Sequence, residues 1–107
     1  MSGSFGDMGN LLKQAQEMQR NLDRVREELK TEVVVGTGGG GTVKVEVNGE
    51  GEVKALSIDD AVVTSGDRAM IEDLVLAALR DGIAQAMRVR KEKLGAVTGG
   101  LNLPGIF

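Results

Sequence analysis

Apolar residues recur every three or four positions along the first part of the chain, and this pattern constrains the fold more than any other feature. The spacings are 3, 4, 3, 4, 3 and 4 residues, a heptad seam held for three repeats. Its members are Met8, Leu11, Ala15, Met18, Leu22, Val25 and Leu29. The seam predicts a long, coiled-coil-like first helix whose apolar side needs a partner.

Three short strands are predicted after this helix, separated by glycine-rich turns. The strand segments are residues 31–35, 42–47 and 52–58. The middle segment alternates valine with polar side chains, and Asn48 and Gly49 after it are a strong hairpin signal. The alternation slips between Val53 and Leu56, which indicates a β-bulge. We expect an antiparallel meander with one apolar and one polar face.

A second long helix is predicted from a capping motif at residues 64–67 to about Leu94. Two apolar stripes run side by side along it and cover roughly 200° of its surface. The first stripe consists of Ile71, Leu74, Val75, Ala78, Gly82 and Ala86, and the second of Leu76, Leu79, Ile83 and Met87. Segments 1–7 and 95–107 are expected to be flexible ends, so that residues 8–94 form a single domain.

The lengths of these elements predict a homodimer. The helices are about 33 Å and 40 Å long, whereas strands of this size span only about 17–23 Å. Both helices therefore overhang the sheet, and their apolar seams need a second copy of the chain. The expected fold class is α+β: a long helix, a three-stranded antiparallel meander and a long helix, in an intertwined homodimer. The expected interface residues are Leu11, Met18, Leu22, Val25, Leu76, Leu79, Ile83 and Met87.

Composition argues against catalytic and metal-binding functions. The 107 residues include no Cys and no His, which removes thiolate metal sites, cysteine nucleophiles and the commonest general base. Gly36, Gly38 and Gly41 have the spacing of a dinucleotide-binding loop, but a strand follows them where that loop needs a helix. The adjacent Asp59 and Asp60 lack the ligand spacing of a metal site. We expect no enzymatic activity, no cofactor and no bound metal.

The sequence also predicts where the protein works. No run of it approaches the ~18 apolar residues of a membrane span. Its first residues lack the basic flank and the apolar stretch of a signal peptide. A cytoplasmic protein without a membrane partner is therefore expected.

Basic side chains on the outer faces of both helices are the candidate binding residues. A net charge of −3 argues mildly against a nucleic-acid-binding protein, but the acidic excess falls in the middle of the chain. The absence of Trp and Tyr disfavours stacking on single strands, whereas contacts to duplex phosphates need no aromatic residue. Charged helix faces are usually only solvated, and that alternative stays open. The candidates for phosphate contact are Lys13, Arg20, Arg24, Arg88, Arg90, Lys91 and Lys93.

Several segments in this order resemble the YbaB/EbfC family of nucleoid-associated DNA-binding proteins. They are the helix opening at residues 9–19, the Val-Lys-Val-Glu-Val-Asn-Gly run at 43–49, and residues 71–78 and 100–105. The resemblance covers about residues 8–107. It implies a small, tweezer-shaped homodimer that binds DNA without catalysis and influences nucleoid organisation or gene expression. Of the candidate cations, only Lys13 lies on a matched motif.

Two functions follow as hypotheses. The first is a dimeric protein of the bacterial nucleoid that binds double-stranded DNA through phosphate contacts, with little base readout. The alternative is a dimeric adaptor that binds a protein partner through exposed apolar helix surfaces. Met8, Met18, Met70 and Met87 suit such a surface, because methionine side chains adapt to irregular partners.

Overall fold

The computed structural model of the protein describes the backbone of residues 2–99 and the side chains of residues 7–99. Three α-helices are present in this part of the chain: α1 (Ser2–Thr31), α2 (Asp60–Thr64) and α3 (Arg68–Val97). Three strands lie between α1 and α2: β1 (Val33–Gly38), β2 (Val43–Asn48) and β3 (Val53–Ile58). The strands form one antiparallel sheet in the order β1-β2-β3. The predicted α+β fold of helix, meander and helix is confirmed.

The sheet has the alternation that the sequence predicts. Val43, Val45 and Val47 are fully buried and form the core on the face that α3 covers. Ala55 pairs with Glu46, but Val53 pairs with the next residue, Val47, so one residue of β3 is left over. This irregularity confirms the predicted bulge.

Helix α3 crosses β1 and β2 with its backbone almost touching the sheet. A Cβ atom added to Gly36 would lie 2.2 Å from the backbone nitrogen of Gly82 and 2.3 Å from the carbonyl oxygen of Ala78. A Cβ atom on Gly38 would lie 2.3 Å from the carbonyl oxygen of Leu74. No side chain fits between the two backbones. Two of the glycines with dinucleotide-loop spacing therefore serve to pack a helix on a strand.

Side chains of α3 also occupy the outer edge of β1. The backbone N–H of Thr37 donates to a carboxylate oxygen of Asp81 at 2.9 Å. The side-chain amide of Gln85 donates to the carbonyl oxygen of Val35 at 2.9 Å. Backbone groups that a strand edge usually leaves to solvent are thus satisfied within the chain.

The second half of α1 packs against the end of α3. Leu22, Val25 and Leu29 are buried together with Leu94, and Val97 packs against the same cluster. The apolar seam of α1 is therefore covered within one chain along this part of its length. The first half of α1 extends further, so the protein measures 78 × 20 × 17 Å. Its radius of gyration is 20.6 Å, against about 13 Å for a compact domain of 100 residues.

A buried amide joins α1 to the hairpin between β2 and β3. The side-chain nitrogen of Asn48 donates to the carbonyl oxygen of Lys30 at 3.1 Å and to the carboxylate of Glu52 at 3.0 Å. Its side-chain oxygen accepts from the backbone N–H groups of Glu50 and Glu52. The hydrogen bond from Asn48 also lowers the pKa of the Glu52 carboxyl. The direction of α1 relative to the sheet is fixed at this joint.

The element ends differ from the predicted ones. Helix α1 begins at Ser2, ahead of the first seam residue, and β1 continues through Gly38. The N-cap of α3 is Asp67, whose carboxylate accepts from the backbone N–H of Met70 at 3.0 Å. Thr64, the first residue of the expected capping motif, instead ends the short helix α2. The flexibility of the chain ends stays a prediction, and residues 100–107 lie outside the described part.

Candidate nucleic-acid interface

The predicted cations of α1 lie on the face opposite its apolar seam. The positions of Lys13, Arg20 and Arg24 differ by only about 40° around the helix axis, so the three side chains share this face. All three are exposed. Within the described residues, neither Lys13 nor Arg20 has a carboxylate within 4.0 Å. Arg24 lies 3.8 Å from Glu28, but both side chains are more than half exposed. An exposed pair of this kind is weak, so the Arg24 guanidinium can exchange its partner.

The predicted cations of α3 cluster just beyond the sheet. Arg88 and Lys91 are exposed, and Arg90 is half-buried. None of the three has a carboxylate of the described region within ion-pair distance. Residues 87–97 contain four basic and one acidic side chain, so this end of α3 is positively charged.

Lys93 has a different environment. Its ammonium forms an ion pair and hydrogen bond with Glu32, in the connection between α1 and β1. Both side chains are only about one-third exposed. The two residues are 61 positions apart, so no local pattern in the sequence indicates this pair. A phosphate contact by Lys93 stays a prediction, and it would have to compete with this carboxylate.

The cations that lack a carboxylate partner concentrate on one part of the molecule. We call this part the arm: it consists of α1 together with residues 87–97 of α3. Among the described cations of the arm, those without an ion-pair partner are Lys13, Arg20, Arg88, Arg90 and Lys91. Outside the arm, two further cations are exposed without such a partner: Lys44 on β2, and Arg80 on α3 about two turns before the arm. The paired cations of α1, by contrast, lie in its last three turns, nearer to the sheet.

The predicted interface residues separate into buried and exposed sets. Leu22 and Val25 are buried inside the chain, and Met18 and Leu79 are half-buried. The others are exposed: Leu11, Leu76, Ile83 and Met87. On the sheet, Leu56 pairs with the core residue Val45 yet is half exposed, because α3 covers β1 and β2 but not β3. One chain thus leaves an apolar surface open on α3 and on β3.

The described part of the chain offers neither a metal site nor a membrane-spanning helix. Residues 2–99 contain no cluster of three or more His, Cys, Asp or Glu side chains that could hold a metal ion. No helix within that range is long and apolar enough to cross a bilayer.

Comparison with known proteins gives consistent results. The model of the YbaB/EbfC DNA-binding family matches residues 5–101. A nucleoid-associated protein of Desulfotalea psychrophila is 40% identical over 100 residues, covering 94% of each chain. A nucleoid-associated protein of Acetivibrio thermocellus is 41% identical over 106 residues, covering 98% of this chain and 94% of the relative. The crystal structure of an uncharacterized protein from Helicobacter pylori superimposes with a TM-score of 0.72 at 29% identity, covering 89% of this chain and 97% of the other.

Proposed function

Because the chain belongs to the YbaB/EbfC DNA-binding family, we propose that it binds double-stranded DNA as a homodimer, mainly through phosphate contacts from its arms. Its nucleoid-associated relatives support a location on the nucleoid in the cytoplasm. There it would help to organise DNA or to regulate genes. The single observation that carries the proposal is the concentration of unpaired cations on the arm.

An unpaired cation suits phosphate binding for a simple physical reason. A Lys or Arg that already pairs with a carboxylate must lose that partner before it contacts DNA, which offsets part of the gain. No carboxylate partner has to be released from Arg88, Arg90 or Lys91 before these side chains contact a phosphate. Their position beyond the sheet leaves room for a duplex. Phosphate contacts set position and affinity but carry no sequence information, so we expect weak sequence preference.

The proposed homodimer rests on the apolar surface that one chain leaves open. Ile83, Met87 and Leu76 lie on the α3 face that looks away from the chain's own core contacts, and Leu56 of β3 is left uncovered beside the core. A second copy presents the same residues, so a two-fold arrangement can cover both surfaces at once. Each chain contributes one arm, and two arms give the duplex two sets of cations.

DNA binding by the wild-type protein is expected to fall steeply as salt rises. Four to eight phosphate contacts predict a log–log slope of affinity against salt of roughly −4 to −7, because each contact releases condensed counterions. Fluorescence anisotropy of a labelled duplex of about 30 bp, repeated with unrelated sequences, measures this slope. Similar affinities for all duplexes would support phosphate-directed binding. The absence of binding even at low salt would contradict the proposal and favour the protein-adaptor alternative.

A charge on the open apolar surface is expected to separate the two copies. Ile83→Lys places an ammonium in the proposed interface, and the desolvation of one such charge raises the dimer dissociation constant by about 100-fold or more. One chain has a mass of 11.3 kDa. Sedimentation equilibrium detects the change as a fall in the measured mass from that of two chains toward that of one chain. Ala84→Lys is the matched control, since Ala84 is the exposed neighbour on the outer face of α3. A wild-type protein that is monomeric at micromolar concentration would disprove the dimer.

A further inference from the structure

The connection between α1 and the sheet consists of a single residue. Helix α1 ends at Thr31 and β1 begins at Val33, so Glu32 alone lies between them. The backbone N–H of Gly49, which follows β2, donates to the carbonyl oxygen of Glu32 at 2.9 Å. The Asn48 amide holds the neighbouring last turn of α1. Glu32 is therefore fixed to the sheet at the point where α1 leaves it.

Helix α3 meets α1 through apolar side chains and one ion pair. It is a continuous helix from Arg68 to Val97, so the part that covers the sheet and the part in the arm form one rod. Leu94 is buried in the cluster that α3 shares with α1. Apolar contacts are non-directional, so they hold the two helices together but fix their relative direction less strictly. A hydrogen-bonded ion pair depends on angle as well as on distance.

The ion pair of Lys93 with Glu32 supplies a directional contact at this place. Among the ion pairs of the described region, it alone joins residues more than four positions apart. The two side chains are 39% and 33% exposed, whereas each ion pair within α1 includes a side chain that is more than half exposed. Water and salt therefore screen this pair less than the others. It ties α3 to the residue at which α1 joins the sheet.

A small change of direction at this joint moves the cations of α1 a long way. Lys13 lies 19 positions before Glu32, which is about 28 Å along the helix. A turn of about 10° at Glu32 displaces Lys13 by about 5 Å, more than the ~3.4 Å rise between successive phosphates of one DNA strand. The cations of α1 and those of α3 can match one duplex together only if the two helices keep a fixed direction.

We propose that Lys93 is a positioning residue: its ion pair with Glu32 holds α1 in the direction that lets both helices of the arm contact the same duplex. Lys93 itself makes no phosphate contact, unlike Arg88, Arg90 and Lys91. The inference rests on the proposed binding of DNA, and it names the contact on which the geometry of that binding depends.

Neutralising Glu32 separates the two possible roles of Lys93, because they predict effects of opposite sign. Glu32→Gln removes a negative charge and releases the Lys93 ammonium, so it would strengthen DNA binding if Lys93 contacted a phosphate. A positioning role predicts binding about tenfold weaker, since both arms of the homodimer lose the directional contact. Anisotropy titrations with a labelled duplex of about 30 bp at 0.1 M salt measure the change. Unchanged or stronger binding would overturn the inference.

A matched control removes a carboxylate that cannot position the arm. Glu27 pairs with Lys30 at 2.9 Å within α1, so this pair does not join two elements. Glu27→Gln makes the same chemical change as Glu32→Gln, and we expect binding within about threefold of the wild type. If both variants lost affinity equally, the contact between α3 and the joint would have no special role.

A double-mutant cycle and a charge reversal complete the test. Lys93→Gln is expected to weaken binding about tenfold, and Lys93→Gln combined with Glu32→Gln no further, because either change alone breaks the pair. Glu32→Lys combined with Lys93→Glu restores a pair at the same net charge, and binding is expected within about threefold of the wild type. A carboxylate at position 93 would repel a phosphate there, so failure of this rescue would overturn the inference.

Two further observations keep the results distinct. Thermal unfolding followed by circular dichroism is expected to shift by less than about 5 °C in each variant, because the pair is partly exposed. The rescue must therefore appear in DNA affinity and not only in stability. A wild-type protein that binds no duplex would disprove the proposed function itself, whereas a wild type that binds and a Glu32→Gln variant that binds as tightly would disprove only the positioning role.

Discussion

Replacing Arg88, Arg90 and Lys91 together with alanine is expected to weaken duplex binding by about 100-fold or more at 0.1 M salt. A homodimer loses up to six phosphate contacts in this variant, and each lost contact also lowers the salt dependence by roughly 0.9 in log–log slope. The affinity and the slope should therefore fall together. Anisotropy titrations of the same labelled duplex at several salt concentrations measure both quantities.

A control variant separates this local effect from the loss of net charge. Arg26, Lys54 and Arg68 each lie within 4.0 Å of a carboxylate. Their combined replacement with alanine removes the same number of charges, and we expect it to weaken binding less than about threefold. If both variants bound DNA equally poorly, the absence of an ion-pair partner would not matter and the assigned residues would be wrong.

Gly36→Ala is expected to lower the free energy of unfolding by about 3 kcal/mol or more. The added methyl group would lie 2.2–2.5 Å from backbone atoms of Gly82 and Ala78, which belong to a helix and cannot move aside as a flexible side chain can. Either α3 shifts away from β1 and loses packing, or the strand bends and loses its pairing with β2. Urea denaturation followed by circular dichroism measures the change.

Gly95→Ala provides the control for the glycine effect itself. Gly95 also belongs to α3, but a Cβ atom there meets nothing within 4 Å. Alanine has the higher helix propensity, so this variant is expected to gain up to about 1 kcal/mol. A Gly36→Ala protein as stable as the wild type would show that the helix and the sheet do not approach as closely as the structure has them.

Features that depend on neighbouring residues could be predicted from the sequence. The heptad spacing from Leu11 to Leu29 predicts α1, because an α-helix places residues three or four positions apart on the same face. Asn48 and Gly49 predict the hairpin, although the connection occupies residues 49–52 and its left-handed residue is Gly51, with a φ of 87°. The slip in alternation after Val53 predicts the bulge, because pleating fixes which face each side chain takes.

Features that depend on distant residues could not be predicted in this way. The spacing of Gly36 and Gly38 gave no sign that α3 would lie directly on them. The ion pair of Lys93 with Glu32 joins two residues far apart in the sequence, so charge spacing could not show that Lys93 is already paired. The heptad seam likewise did not show that α3 covers Leu22 and Val25 within the same chain. Each of these contacts becomes visible only in the tertiary structure.

The occupied edge of β1 limits how many chains could be joined through their sheets. Hydrogen bonds from Thr37 to Asp81 and from Gln85 to Val35 take up backbone groups that another strand would need. The far side of β3 pairs with no element in the described part of the chain. A sheet that accepts a neighbour on one side only can join to one other sheet and then stops growing. Molecules packed side by side would therefore be hindered from forming a continuous β-fibre through the β1 edge.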